Sequence, residues 1–220
     1  MVEVARCEAR SPQNANAAWR KAAQRIEQTG HLSVAAMAQR NAAFAALNRR
    51  SFVEMSAHLD DARRLDAKVG SEEGPARTAY YDGYMAQEIG DTRRAIASLQ
   101  VARDGLTRAD SLKEVCPISI ALAAAQAQSG QWADVVSLLP ELETPVCAQN
   151  RGADREASVS WLNYLAARAG AIPQDWPSIR ARLERARDLA LSTDSQTTAT
   201  PATYTNLASF EHHVGQLDAA

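Results

Sequence analysis

The chain has 220 residues and a formal net charge of −2, with 46% hydrophobic residues but only 5% aromatic ones. Lys and Arg are scattered among Asp and Glu, which is not the clustered basic surface of a nucleic-acid-binding protein. No apolar run reaches the length of about 18 residues that a membrane span requires, and no stretch alternates as a β-strand does. Because the apolar content is mostly Ala and Leu, both strong helix formers, the sequence predicts an all-α protein.

Three helices are predicted in the first third of the chain. The first spans 12–28, where Ser11 is the N-cap and a proline takes the first helical position. The second spans 33–48. The third begins at Ser51, which is expected to form a capping box with Glu54, and it ends near residue 70.

Two further hairpins are predicted in the middle of the chain. A helix over 75–90 stops at Gly90, and the next helix follows Asp91, a good N-cap. We expect a loop or short turn over 105–115, because Pro117 favours a helix that starts at that residue rather than before it. That helix ends at a glycine, and its partner runs to about residue 139, just before a second proline.

The C-terminal part is predicted to contain three more helices and the start of another. Their expected spans are 154–169, 177–191, 201–215 and 216–220. The segments expected to lie outside regular helices are 1–9 (a short helix or a frayed end), 143–153, 171–176 and 192–200. In total, about eleven helices are expected.

A fixed spacing relates the expected turns. They lie 40, 40, 40 and 45 residues apart, at Arg50, Gly90, Gly130, Gly170 and Gly215. A mostly small residue precedes each turn by seven positions: Ala43, Gly83, Ala123, Asn163 and Ala208. Apolar triplets spaced four and then three residues apart follow the turns: Met55, Leu59 and Ala62; Ala95, Leu99 and Ala102; Val135, Leu139 and Leu142; Ile179, Leu183 and Ala186. Such a period indicates a solenoid of helical hairpins.

The small residue before the turn, the glycine at the turn and the Ala–Leu–Ala triplet resemble the tetratricopeptide repeat (TPR) family. The resemblance covers residues 33–220. It implies a right-handed α-solenoid of antiparallel helical hairpins, with residues 1–32 as an N-terminal helix or cap. The last repeat would be cut inside its second helix, so we expect the chain to be part of a longer protein.

The resemblance also implies a binding surface, because the first helix of each TPR hairpin lines the concave face. The residues of this chain that correspond to that face, and that we predict to contact a protein or peptide partner, are Arg40, Asn41, Phe44, Arg77, Tyr80, Tyr84, Trp161, Tyr164, Arg168 and Asn206. Tyr, Trp and Arg are the residues that most often dominate interface energies. The other interpretation is that half of the aromatic residues fill contacts between hairpins.

Catalytic and cofactor sites are not indicated. The four histidines do not lie in a nucleophile or metal-ligand motif, and the adjacent His212 and His213 diverge on a helix. The glycines are isolated and do not form a phosphate-binding loop. We therefore expect no catalytic residues, no cofactor and no metal.

Two of the three cysteines bear on the cellular compartment of the protein. Cys116 and Cys147 are expected at neighbouring ends of one antiparallel hairpin, where a disulfide is geometrically feasible. Two thiols in a cytoplasmic protein are the favoured interpretation, and a disulfide in a periplasmic protein is the alternative.

The functional prediction is a non-enzymatic protein- or peptide-binding scaffold, the N-terminal interaction or sensory module of a larger bacterial regulatory protein. The alternatives are the regulatory half of a multidomain enzyme, such as a protease or nucleotide cyclase, and a periplasmic scaffold. The sequence does not indicate an oligomeric state.

Overall fold

A computed structural model describes residues 12–144, 147, 152–192 and 199–218. Within these residues the chain forms ten α-helices and no β-strand. The helices are α1 (Pro12–Gln28), α2 (Leu32–Asn48), α3 (Phe52–Val69), α4 (Glu73–Glu88), α5 (Thr92–Arg108), α6 (Leu112–Gln128), α7 (Trp132–Leu142), α8 (Ala153–Arg168), α9 (Trp176–Ser192) and α10 (Ala199–Asp218). The prediction of an all-α fold is confirmed. The segment 1–9 and most of 143–153 lie outside the described residues.

The helices group into two compact units, residues 1–118 and 119–220, with the boundary inside α6. In the first unit, α1 to α5 pack in chain order, and α2 also contacts α4. In the second unit, α7 to α10 pack in chain order, and α8 also contacts α10. Contact between every second helix is what a stack of hairpins requires, so each unit is compatible with a solenoid-like arrangement.

From Gly30 to Gly130 the turns between helices recur every 20 residues, half the period expected from the sequence. A residue with a left-handed backbone lies at Gly30, Arg50, Gly70, Gly90, Asp110, Gly130 and Gly170. At five of these turns the next residue donates its N–H to the carbonyl five residues earlier, at 2.8–2.9 Å: Ser51, Asp91, Ser111, Gln131 and Ala171. This bond is the hallmark of the Schellman motif, which ends a helix by satisfying its last carbonyls.

The turn at Asp110 corrects the predicted loop over 105–115. Helix α5 continues to Arg108, and α6 starts at Leu112, so Pro117 lies inside a helix. Proline removes one backbone hydrogen bond there. The helix persists because its flanking residues Val115, Cys116 and Ile118 are buried, and their burial outweighs the lost bond.

The predicted turn at Gly215 is wrong as well. Gly215 lies within α10, and its backbone is not left-handed. A glycine inside a helix costs about 1 kcal/mol relative to Ala, which the other residues of a long helix readily offset. The capping box at Ser51 is also not formed as expected. Ser51 is the N-cap residue, but its side chain makes no capping hydrogen bond, and Glu54 pairs with Arg49 at 2.6 Å.

The apolar triplets form the cores of the hairpins, as predicted. All twelve triplet residues are buried. In the α4–α5 hairpin, a Cβ atom on Gly83 would lie only 2.6 Å from Leu99 Cγ. The missing side chain of Gly83 therefore lets α4 and α5 approach closely, and Leu99 fills the space above it.

Replacing Leu99 by Asp should unfold the α4–α5 hairpin, because a carboxylate would be buried there without a partner. We expect the free energy of unfolding to fall by about 3 kcal/mol or more, measured by urea denaturation with circular dichroism. Val101→Asp is the matched control, since Val101 lies on the same helix with 58% of its surface exposed. Similar denaturation midpoints for the two variants would show that Leu99 is not a core residue.

Candidate binding cleft

A cleft of about 500 Å³ opens in the first unit between α2, α4 and the end of α3. Its walls are formed by Ser33, Val34, Met37, Arg40, Asn41, Asp66, Val69, Ser71, Glu73, Gly74, Arg77, Tyr80, Tyr81 and Glu114. Four of the ten predicted partner-binding residues, Arg40, Asn41, Arg77 and Tyr80, are among them. The cleft is therefore the candidate site in the first unit.

A buried ion pair forms the floor of the cleft. Arg40 Nη1 on α2 donates to both carboxylate oxygens of Asp66 on α3, each at 3.0 Å, and to Thr78 Oγ1 on α4 at 3.2 Å. Thr78 Oγ1 in turn donates to Asp66 Oδ2 at 2.8 Å. The side chains of Arg40 and Asp66 are only 6% and 3% exposed. The three residues thus tie three helices together away from solvent.

Gly74 makes this arrangement sterically possible. A Cβ atom at this position would lie 2.4 Å from Asp66 Oδ1 and 2.7 Å from Asp66 Cγ. Since Arg40 and Thr78 hold the carboxylate in place, it cannot easily move aside. The first turn of α4 can therefore approach Asp66 only without a side chain at residue 74.

Charged residues form one wall of the cleft. Arg77 on α4 contacts Glu114 on α6 through two bonds, Nε–Oε2 at 2.9 Å and Nη2–Oε1 at 2.6 Å. Arg77 Nη2 also lies 2.7 Å from Glu73 Oε1, one turn earlier on α4. These bonds, which Arg77 donates and Glu114 accepts, lower the pKa of Glu114 and raise the pKa of Arg77, so both groups stay charged at neutral pH.

Four aromatic rings on α2 and α4 form a patch that continues from the cleft: Phe44, Tyr80, Tyr81 and Tyr84. We call these residues the aromatic patch. Tyr80 and Tyr84 have ring centroids 4.8 Å apart and hydroxyl oxygens 3.2 Å apart, and Phe44 contacts Tyr81 edge-on at 6.3 Å. Burial, together with the neighbouring Tyr84, raises the pKa of Tyr80 and keeps it a neutral phenol.

The structure separates the predicted residues of the first unit into three kinds. Phe44 is half exposed, and Tyr80 and Tyr84 are partly exposed, so all three can contact a partner. Asn41 and Arg77 line the cleft, Arg77 with its guanidinium already paired. The prediction for Arg40 is corrected, because its guanidinium is buried against Asp66 and stabilises the packing of α2 against α3 and α4.

The predicted residues of the second unit contribute less surface. Tyr164 is fully buried, 4.9 Å from the ring of Trp161 and 5.7 Å from that of Phe210. A side chain without exposed surface cannot touch a partner, so the prediction for Tyr164 is corrected to a core role. Trp161 is half-buried in the same cluster, Asn206 is half-buried on α10, and Arg168 is exposed at the end of α8.

Several residues that line the cleft are not predicted from the sequence. Asp66 of the cleft and its hydrogen-bond partner Thr78 lie on helix faces that the sequence does not mark as buried, and Glu114 falls in the predicted loop over 105–115. Met37 is exposed and lines the cleft. It precedes Phe44 by seven residues, two turns of the same helix face, and this spacing was the available signal.

Within the described residues, no group of three or more His, Cys, Asp and Glu side chains is placed to hold a metal ion. His58 is buried with Nδ1 2.8 Å from Gln39 Oε1, and burial lowers its pKa. This histidine belongs to the packing of α2 against α3.

Cys116 and Cys147 form a disulfide bond, and both are buried. The favoured expectation of two thiols is therefore wrong, and the alternative pairing is the one observed. None of the helices in the described part of the chain is both long and apolar enough to cross a membrane.

Comparison with known proteins gives no family: no protein-family model and no curated protein sequence matches the chain.

Substituting Ala for Gly74 should destabilise the first unit, because the added Cβ atom would collide with the pinned carboxylate of Asp66. We expect the free energy of unfolding to fall by about 1–3 kcal/mol in urea denaturation. The control is Gly215→Ala, where a Cβ atom meets nothing within 4 Å inside α10. That change should raise stability by up to about 1 kcal/mol. Equal effects of the two substitutions would contradict the close approach at Gly74.

Proposed function

We propose that this protein is a non-enzymatic scaffold of the TPR-like kind, which binds a protein or peptide in the cleft of its first unit. The observation that carries the proposal is the aromatic patch beside the cleft. Phe44 is 50% exposed there although it is a large apolar side chain. Exposed aromatic and apolar residues that adjoin a cleft are the usual mark of an interaction site.

The aromatic patch suits recognition because its rings are already held by one another. Tyr80 is fixed by its hydroxyl contact with Tyr84 and its ring contact with Tyr81, whose centroid lies 5.8 Å away. A partner that packs on these rings would therefore lose little side-chain entropy from the scaffold, which favours binding. Met37 adds an adaptable apolar contact on the α2 side of the cleft.

A protein partner fits these features better than a nucleic acid does. Three carboxylates, those of Asp66, Glu73 and Glu114, line the cleft beside two guanidinium groups, and both guanidinium groups are paired with carboxylates. Phosphate groups would meet no unpaired cation among these residues.

We also keep the proposal that the chain acts as the interaction or sensory module of a larger bacterial regulatory protein. The runner-up is the regulatory half of a multidomain enzyme, a protease or a nucleotide cyclase. Both proposals derive from the resemblance to TPR proteins and from the composition. The coding sequence around these 220 residues distinguishes them, since a catalytic domain in the same reading frame would favour the runner-up.

The disulfide supports the periplasmic alternative over the cytoplasm, because such bonds persist in oxidising compartments. Thiol titration of the denatured, unreduced protein tests it. One reactive thiol among the three cysteines supports an oxidising compartment, and three contradict it.

Peptide binding should depend on the aromatic patch. Peptides selected from a random displayed library against the full chain should bind the Phe44→Ala, Tyr84→Ala double variant at least about tenfold more weakly, because two contact rings are lost. Isothermal calorimetry measures the affinity, and circular dichroism checks that helicity is unchanged.

The matched control is Val53→Ala, which removes a side chain that is 86% exposed on α3. Its affinity for the same peptides should equal that of the parent. If no peptide is selected, or if the double variant binds as well as the parent, the cleft is not the binding site.

A further inference from the structure

We propose that the cleft recognises a cationic peptide, in which a Lys or Arg side chain is followed or preceded at about five residues by an apolar side chain. This inference rests on the proposed function, since it names the partner chemistry of the same site. On the cleft side of α4, charged residues lie near the N-terminal end and aromatic residues follow them.

The two ends of the cleft differ in chemistry. Along one face of α4 the residues run from Glu73 through Arg77 to Tyr80, Tyr81 and Tyr84. The acidic end also holds Glu114, and the other end leads into the aromatic patch. A ligand lying along α4 would therefore meet carboxylates first and aromatic rings last.

Negative charge is in excess at the acidic end. Arg40 and Asp66 neutralise each other on the floor of the cleft. Above them, the single guanidinium of Arg77 is shared by the carboxylates of Glu73 and Glu114. Both carboxylates are partly open to solvent, with side-chain exposures of 40% and 46%. An incoming cation would balance the remaining charge.

Glu73 has an oxygen available for such a cation. Arg77 and Ser111 both approach its Oε1, at 2.7 and 3.0 Å. Among the contacts of the described residues, Oε2 of Glu73 is not used. A Lys or Arg side chain of a partner can donate to this oxygen without displacing Arg77.

An anionic peptide fits poorly. Its carboxylate would have to draw Arg77 away from both Glu73 and Glu114 and would then face their uncompensated charges. Like charges placed together at an interface cost affinity and act against wrong partners. The cleft therefore discriminates against acidic peptide ends.

The distance between the two ends sets the spacing in the ligand. Glu73 and Tyr84 lie eleven residues apart on α4, which is about 16 Å along the helix axis. An extended peptide rises about 3.3 Å per residue, so about five residues cover this distance. An apolar side chain at that spacing from the cation would reach the rings of the aromatic patch.

The test is the composition of peptides selected from a random displayed library against the full-length chain. We expect Lys or Arg at one position, an aliphatic or aromatic residue about five positions away, and depletion of Asp and Glu. The best peptide is then resynthesised with Met in place of its cation. Its affinity for the parent chain should fall by about fivefold.

The matching protein variant is Glu73→Gln, Glu114→Gln. It should weaken binding of the cationic peptide by about fivefold but leave the Met-containing peptide unchanged. The control is Glu72→Gln, because Glu72 pairs with Arg108 at 3.0 Å and does not line the cleft. If the double variant loses helicity, Glu73→Gln alone replaces it, with a smaller loss expected.

The outcomes separate the two proposals. Selection of neutral or acidic peptides that still need Phe44 and Tyr84 would overturn the cationic preference and leave the proposed function standing. Equal loss of both peptides in the Gln variant would also overturn it. Failure to select any peptide would overturn the proposed function, and this inference with it.

Discussion

The contact on which the first unit depends most is the buried ion pair between Arg40 and Asp66. It joins α2 to α3, and through Thr78 and the close approach at Gly74 it joins both helices to α4. A buried charge that loses its partner costs about 3–5 kcal/mol, so neither Arg40 nor Asp66 can be replaced alone without a large loss of stability. The pair also forms the floor of the cleft, which links the packing of the unit to the shape of its candidate site.

Part of the repeat can be predicted from the sequence, because the turn residues and the spacing of the core residues are local features. Asp91 caps α5 by accepting a hydrogen bond from the backbone N–H of Arg94 at 3.1 Å, as the sequence predicts. Leu99, further along the same helix, is buried, which the sequence also predicts. The sequence misleads where a tertiary effect overrides a local preference. Pro117 is accepted inside a helix by the burial of its neighbours, and Asp110 takes the left-handed conformation that glycine adopts at equivalent turns. The 20-residue spacing is not evident in the sequence at Asp110, because this turn lacks glycine and is followed by a proline that favours a later helix start.

Less of the candidate site than of the repeat can be predicted from the sequence, since residue type does not reveal which side of a helix faces solvent. The partial exposure of Phe44, Tyr80 and Tyr84 agrees with a partner-binding role, which remains a proposal. Arg40 and Tyr164 were chosen by the same reasoning, yet both are buried. Arg40 finds its carboxylate 26 residues away and Tyr164 packs into an aromatic cluster, and neither contact can be inferred from the spacing within one helix. Contacts with residues that are distant in the sequence therefore determine where both side chains lie.

A double-mutant cycle on Arg40→Met and Asp66→Asn tests the central claim most directly. The free energy of unfolding of the first unit is measured for the parent, both single variants and the double variant by urea denaturation. The account predicts that each single change costs about 3 kcal/mol or more and that the double change costs clearly less than their sum, because the second substitution removes a charge already left without its partner. Small and additive losses would contradict the claim that this buried pair holds α2, α3 and α4 together.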